Sequence, residues 1–420
     1  MRTPLTSAQR RGFWAAWSGW TLDGMDAFIY ALVLSPALTE LLPKSALSAT
    51  PASVAFCGSV LFALFLVGWG LAFVWGPVAD RFGRTRTLAA SVLMYSVFTG
   101  AAALAQNVWE LAAFRLLAGI GIGGEWALAG TYVAEAWPED RRKMGAGYLQ
   151  TGYYAGFFLA AALNFTVGAH YGWRAMFVCG LAPVVLSLYI VFQVKEPERW
   201  EKAAGESQRT NPLREIFSGH YRRRTLVNAL LLTVSIVGLW AGAVYEPTAI
   251  IALAKQAGMG PSDAARMASV GTALLSIGTV LGCLTAPVLS EAWGRRGSLA
   301  FYFAGMALFV WLSFGWAFYL PQGLATFIVL LFFLGFFGGN FAIYSLWLPE
   351  QYGTSVRATA FAFTTSFGRL IGAGVNFLLG WAIQQEGSLG LPVAWTAAAF
   401  VLGLAVVPFA LETRGQRLPK

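Results

Sequence analysis

Charge is scarce in this chain. Asp, Glu, Lys and Arg make up 12% of its 420 residues, against about 25% in an ordinary soluble domain, so a water-facing globular surface cannot be assembled from it. Cysteine and histidine are scarcer still. Cys57, Cys179 and Cys283 lie far apart with no metal-ligand spacing and read as small packing residues, while His170 and His220 read as loop residues. That leaves no His, Cys or carboxylate constellation for metal or nucleophilic catalysis, so neither an enzyme, a metal nor a cofactor is expected. Long polar segments are also missing, apart from Lys195 to Arg224.

What is present is hydrocarbon. The chain is 57% hydrophobic, and apolar runs long enough to cross ~30 Å of bilayer recur along its length. They fall at roughly 12–35, 53–79, 86–105, 108–134, 143–168, 173–194, 225–252, 264–289, 297–318, 322–348, 356–384 and 392–411, twelve in all. The first run is long and lacks a small-residue cleavage site, so it reads as a retained helix. With the amino terminus in the cytoplasm, 23 Arg and Lys fall on cytoplasmic segments, 4 outside and 2 within runs, which sums to the 29 present. That asymmetry places both termini in the cytoplasm and makes the net charge of +9 a topology signal rather than a nucleic-acid footprint. Short outer loops suit a bacterial plasma (inner) membrane. The Asn164-Phe-Thr166 acceptor pattern lies inside a run and is disregarded.

The polar segment divides the chain into a six-helix half at 1–194, a cytoplasmic linker at 195–224 and a second six-helix half at 225–420. The halves echo one another. Gly76-Pro-Val-Ala-Asp80-Arg81-Phe-Gly83-Arg84 after the second run matches Pro287-Val-Leu-Ser-Glu291-Ala-Trp-Gly294-Arg295 after the eighth. Acid, Gly and Arg keep one offset of 211. Glu135 and Arg142 are seven residues apart, as are Glu350 and Arg357, and a Gly-Gly pair stands equally far before each glutamate. Two repeats around a midplane site are a recurrent transporter design.

These motifs resemble those of the major facilitator superfamily. Gly76-x-x-x-Asp80-Arg81-x-Gly83-Arg84 is similar to the signature loop between its second and third helices, and Arg115-x-x-x-Gly119 to its fourth-helix motif. Glu196-Pro-Glu-Arg-Trp200 and Glu412-Thr-Arg-Gly resemble end motifs of the sugar-porter and organic-ion branches. Asp23-Gly-Met-Asp26 is similar to an element of aromatic-acid and sialate-type proton symporters, and Gly-x-Gly-Gly-Glu125-Trp to the sialate and monocarboxylate symporters. The resemblance implies an all-α membrane protein of twelve transmembrane helices in two pseudo-symmetric six-helix bundles, working by alternating access.

Ionisable residues inside the runs are the candidates for chemistry, because charge at that depth is costly and usually functional. Asp23 and Asp26 share one helix face, ~18–22 Å beyond Arg11. Arg115 lies ~9 Å below the outer end of its run, near the same depth. The resemblance implies that Asp26 and Arg115 form the proton-coupling pair, with a static ion pair as the alternative. Glu125 is replaced by Asn340 in the second half, leaving either a second protonation site or an acceptor for substrate hydroxyls. Arg369 has no acid within helical reach on its own run. A ligand carboxylate could satisfy its guanidinium bidentately, or Asp23 could pair with it across the halves. Further cavity candidates are Gln150 (at a sugar-porter substrate position when counted from Arg142), Tyr154, Trp240, Asn340, Tyr344 and Asn376. Glu246 reads as the outer end of its run. Where sugar porters carry paired glutamines and an asparagine in the seventh span, this chain has Val234, Ser235 and Trp240, which favours an organic anion over a hexose.

A separate set, Asp80, Arg81, Arg84, Glu135, Arg142, Glu291, Arg295, Glu350 and Arg357, is expected to form a conformational gate at the cytoplasmic ends. The function expected is proton-coupled symport of a small organic carboxylate (sialate-like, monocarboxylate or aromatic). The partners expected are that substrate, protons and membrane lipid, without nucleic acid, and the protein is expected to be a monomer. The alternatives are a sugar, polyol or organic-cation facilitator of the same fold, or a transporter-like nutrient sensor.

Overall fold

The computed structural model describes residues 3–198, 200–201 and 211–419. Helices dominate the described residues, at 84%. In chain order the longer helices are α1 (Ser7–Lys44), α2 (Pro51–Leu71), α3 (Trp75–Phe82), α4 (Arg84–Ala101), α5 (Val108–Ala136), α6 (Arg142–Leu163), α7 (Ala169–Cys179) and α8 (Pro183–Gln193). The second half continues with α9 (Arg222–Gln256), α10 (Pro261–Val310), α11 (Gly323–Gly338), α12 (Phe341–Gln351), α13 (Arg357–Glu386), α14 (Gly390–Trp395) and α15 (Ala397–Val406).

Among the described residues eight helices are long and apolar enough to cross a membrane, or nine with the bent α1 counted as one span. One of the eight, Arg266–Tyr319, joins the expected eighth and ninth runs through Gly294, whose φ of 81° interrupts the helix. The expected fifth and seventh runs lie on α6 and α9. Each of the twelve apolar runs therefore falls on helix.

Glycine sets how closely these helices approach. A Cβ at Gly119 of α5 would run into the Phe65 carbonyl of α2, and one at Gly335 of α11 into the Leu275 carbonyl of α10. The two halves thus use the same backbone-to-backbone packing, which is how membrane helices gain dispersion contact without a hydrophobic driving force. Large apolar side chains such as Trp109, Val185, Phe192, Val329, Phe377 and Leu402 remain exposed, as a lipid-facing rim requires.

Candidate functional site

At one end of the helices the charged motifs of both halves meet. Gly83 has a φ of 114°, a conformation that costs a residue with a Cβ but not glycine, and this turn starts α4 with Arg84 pointing inward. Arg84 Nε donates to Glu135 (3.0 Å) and its Nη2 lies 3.0 Å from Asp80. Asp80 in turn accepts the backbone N–H of Thr359 (2.8 Å) and that of Ala358 (3.3 Å), so an acid of the first half caps the amino terminus of α13 in the second. Arg357 Nη1 reaches back to Glu135 at 2.5 Å. The second half repeats the design. Arg295 holds Glu350 (2.9 Å) and Glu291 (2.6 Å), while Arg142 and Lys143 cross from α6 to Glu350 (3.0 Å) and Glu291 (2.6 Å). Among the described residues Arg81 makes none of these ion pairs. It lies exposed with its guanidinium 5.4 Å from the Phe82 ring, because the helix turn that buries Arg84 points Arg81 outward.

Two further acids hold the starts of the helices that carry Arg84 and Arg295. Glu196 accepts backbone N–H groups from Arg84 (2.7 Å), Thr85 (3.1 Å) and Arg86 (3.2 Å), and Glu412 accepts those of Arg295 (3.0 Å) and Arg296 (3.1 Å). Each satisfies orphan donors at the start of a span with an anion. The motifs containing Glu196 and Glu412 are recognisable in the sequence, but a pairing with residues more than a hundred positions away is not.

Midway along the helices sits a second, buried cluster. Asp23, Asp26, Arg115 and Glu125 have no exposed surface, and Arg369 keeps 4%. Arg115 Nη2 stands 3.7 Å from Asp26, an ion pair without hydrogen-bond contact. Glu125 leans on α1 so closely that a Cβ at Gly19 would collide with its carboxylate. Tyr95 faces Glu125 without reaching hydrogen-bond geometry. Asp23 lies within electrostatic reach of Glu125, Asp26 and Arg369, and neither of its oxygens has a hydrogen-bond donor.

Arg369 approaches from the second half. Its guanidinium carbon lies 4.1 Å from the Trp69 ring and 5.6 Å from the Trp126 ring, both in the first half. Its Nε and Nη1 lack hydrogen-bond partners, and among the described residues no carboxylate comes within 4.0 Å of it. Asp23 faces it but stands outside ion-pair contact. Around this point aromatic rings pack continuously: Trp20 on Trp126 (6.0 Å between centroids), Trp20 on Tyr153 (4.7 Å), and Trp126 on Phe341 (5.6 Å) and Phe361 (5.2 Å).

The other expected cavity residues divide. Gln150 accepts from Ser345 (3.4 Å), which itself accepts from Trp126 Nε1 (2.9 Å), so the three bridge the halves. Tyr154 is buried on α6 beside Thr279 and Cys283 of α10. Asn340 donates to the Phe337 carbonyl (2.9 Å) and leaves its Oδ1 unpartnered. Tyr344 is turned away from the centre. Its hydroxyl bonds the Leu231 carbonyl (2.9 Å) and Ser235 (3.0 Å), so in this state it ties α12 to α9. Asn376 donates to the Gly372 carbonyl of its own helix (3.0 Å). The side chain of Trp240 lies outside the described residues. Glu246 is not at an exposed outer end but buried, accepting from Thr272 (3.0 Å). Sequence reasoning missed Trp20, Trp69 and Trp126 as site residues.

Two helical halves joined across a buried charged centre and held together at one end by ion pairs form the architecture of a multi-pass membrane protein. The chain belongs to the Major Facilitator Superfamily, whose sequence profile matches residues 16–376. The family is one of transporters, not enzymes. A protein of Cupriavidus pinatubonensis described as a "probable 4-methylmuconolactone transporter" is 29% identical over 97% of this chain and 91% of that one. The cis,cis-muconate transport protein of Acinetobacter baylyi is 27% identical, covering 93% of this chain and 92% of its own. The solved proton:xylose symporter XylE, bound to 6-bromo-6-deoxy-D-glucose, superposes with a TM-score of 0.83 at 19% identity over 98% of both chains, a likeness of fold.

Proposed function

We propose that this protein is a proton-coupled symporter of small organic carboxylates that works by alternating access, with the gated end and both termini in the cytoplasm. The observation that carries the reading is Arg369: a buried guanidinium, stacked on two tryptophans, with unpartnered N–H donors and, among the described residues, no carboxylate in contact. A site built this way lacks an acidic partner that an organic acid would supply bidentately. Trp69, Trp126 and Phe341 add flat apolar walls that suit a planar or conjugated acid. The relatives named for muconate and for a muconolactone agree with that class.

The proton part rests on charge balance. The centre holds three carboxylates, Asp23, Asp26 and Glu125, against two guanidiniums, Arg115 and Arg369. One proton taken up for each carboxylate delivered leaves the net charge of the site unchanged. That lowers the cost of carrying the loaded site through a dry, occluded state. Asp26, in loose contact with Arg115, is the group best placed to take the proton, and Asp23 and Glu125 adjust the local field. As the halves rock about the centre, the Glu135–Arg357, Glu350–Arg142 and Glu291–Lys143 ion pairs hold one end closed and must exchange for contacts at the other.

The test is uptake into proteoliposomes of radiolabelled muconate or benzoate-type acids under an inward proton gradient. Accumulation that collapses with an uncoupler supports the symport reading. Uptake indifferent to the uncoupler removes the proton, and failure of every carboxylate to be carried removes the substrate class.

A further inference from the structure

Arg115 is held in an unusual way for a buried cation. Among the described residues none of its three guanidinium nitrogens has a hydrogen-bond partner, and the one acid within 4.0 Å, Asp26, is 3.7 Å away. Rings surround it instead. Its guanidinium carbon lies 4.6 Å from the Tyr30 centroid, 5.1 Å from Phe177 and 5.6 Å from Phe65, all within cation–π range. These rings come from three different helices: α1, α7 and α2. No repeat or sequence motif requires that convergence.

We infer that Phe65 and Phe177 are positioning residues for proton coupling: their faces hold the Arg115 guanidinium back from Asp26 and keep the ion pair loose enough for a proton to break. The inference rests on the reading of Asp26 as the proton site. Electrostatic attraction alone would draw the guanidinium into hydrogen-bonded contact, and a tight pair of that kind stabilises the ionised acid. The ring quadrupoles, at 5.1 and 5.6 Å, supply a competing attraction that does not titrate. When Asp26 takes its proton, the rings keep Arg115 in place without requiring a replacement anion.

The groups facing Asp26 are few and identifiable. Asp23 and Tyr30 share its helix, Arg115 faces it from α5, Thr99 and Tyr95 from α4, and Tyr153 from α6. Glu125 and Arg369 act on it at one remove, through Asp23. Neither Phe65 nor Phe177 carries a charge, so replacing them alters no titrating group. It changes only where Arg115 settles.

The experiment is the pH dependence of uptake in proteoliposomes for Phe177→Leu and Phe65→Leu, with Phe177→Tyr retaining a ring. Without a ring Arg115 leans harder on Asp26, so the midpoint should move to lower pH by about half a unit for either leucine variant, from the usual size of one cation–π contact. Phe177→Tyr should match the wild type, and substrate exchange, which needs no net proton movement, should persist in all three. An unmoved or alkaline-shifted midpoint in an exchange-competent leucine variant overturns the inference. Should Phe177→Leu lose exchange, Phe65→Leu decides by the same criterion. A wild type whose uptake ignores pH overturns the symport reading itself, whatever the variants do.

Discussion

Replacing Glu135 with glutamine tests the gate where one side chain serves both halves. Glu135 accepts from Arg84 at 3.0 and 3.1 Å within its own half and from Arg357 at 2.5 Å across the interface. Glutamine keeps one acceptor oxygen and the volume but removes the charge. Arg84 retains Asp80 at 3.0 Å and the carbonyls of Ala79 and Thr354. Arg357 retains the carbonyls of Pro349 and Pro419 and the Thr354 hydroxyl. Neither arginine is left bare, so the loss is confined to one charge-assisted contact across the halves. Such contacts contribute about 1.5–3 kcal/mol. In the open state that the proposed alternating access requires, the pair would be separated, so nearly all of that should appear in the conformational equilibrium, a shift of roughly ten- to a hundred-fold. A closed form favoured about 100:1 would then share its population with ~10–50% open form.

Electron–electron distance measurements report that shift directly. Phe82 and Trp293 are 55% and 54% exposed at the gated end of the two halves. Spin labels at these positions, in a background lacking Cys57, Cys179 and Cys283, span the closure. The wild type should give one distance population, and Glu135→Gln should add a longer one that grows as Glu350→Gln is combined with it. Distributions that superimpose for all three proteins would refute the claim that these ion pairs set the balance.

Three further outcomes follow from the same geometry. Asp26→Asn should lose accumulation driven by a proton gradient while keeping substrate exchange, with an exchange rate flat across neutral pH, because the titrating group is gone. In detergent, Gly83→Ala and Gly294→Ala should each lower the thermal midpoint, as both glycines have left-handed φ (114° and 81°) and sit against Glu196 and Glu412. A Cβ at Gly24 would run into the Tyr153 carbonyl, whereas nothing lies within 4 Å of one at Gly374. Gly24→Ala should therefore cost stability on the scale of overpacking, about 1–3 kcal/mol, and Gly374→Ala should unfold with the wild type.

Much of this architecture is legible in one dimension because a bilayer leaves few options. Twelve apolar runs, a constant offset between Gly83 and Gly294, and the bias of Arg and Lys specify the helices and the repeat before any contact is known. Depth arithmetic likewise places Arg115 near Asp26. What stays hidden depends on helix rotation and on partners distant in sequence. Whether Arg81 or Arg84 turns inward follows from a single turn of α3 and α4. The orientation of Tyr344 follows from a carbonyl at Leu231, and the stacking of Arg369 on Trp69 from contact between halves. Tryptophan in a membrane span ordinarily signals packing or an interface belt, so Trp69 and Trp126 carry no mark in sequence that distinguishes a binding wall.

The most direct measurement is ligand-induced thermal stabilisation of the purified protein against a panel of carboxylates, sugars and organic cations, with Arg369→Ala and Arg369→Lys beside the wild type. A ligand that binds only the folded state raises its apparent midpoint by mass action. A small carboxylate should stabilise the wild type, fail to stabilise the alanine variant and stabilise the lysine variant less, because lysine restores charge without the bidentate geometry. Sugars or cations stabilising all three proteins equally would contradict this, making Arg369 a structural residue and the organic acid the wrong substrate.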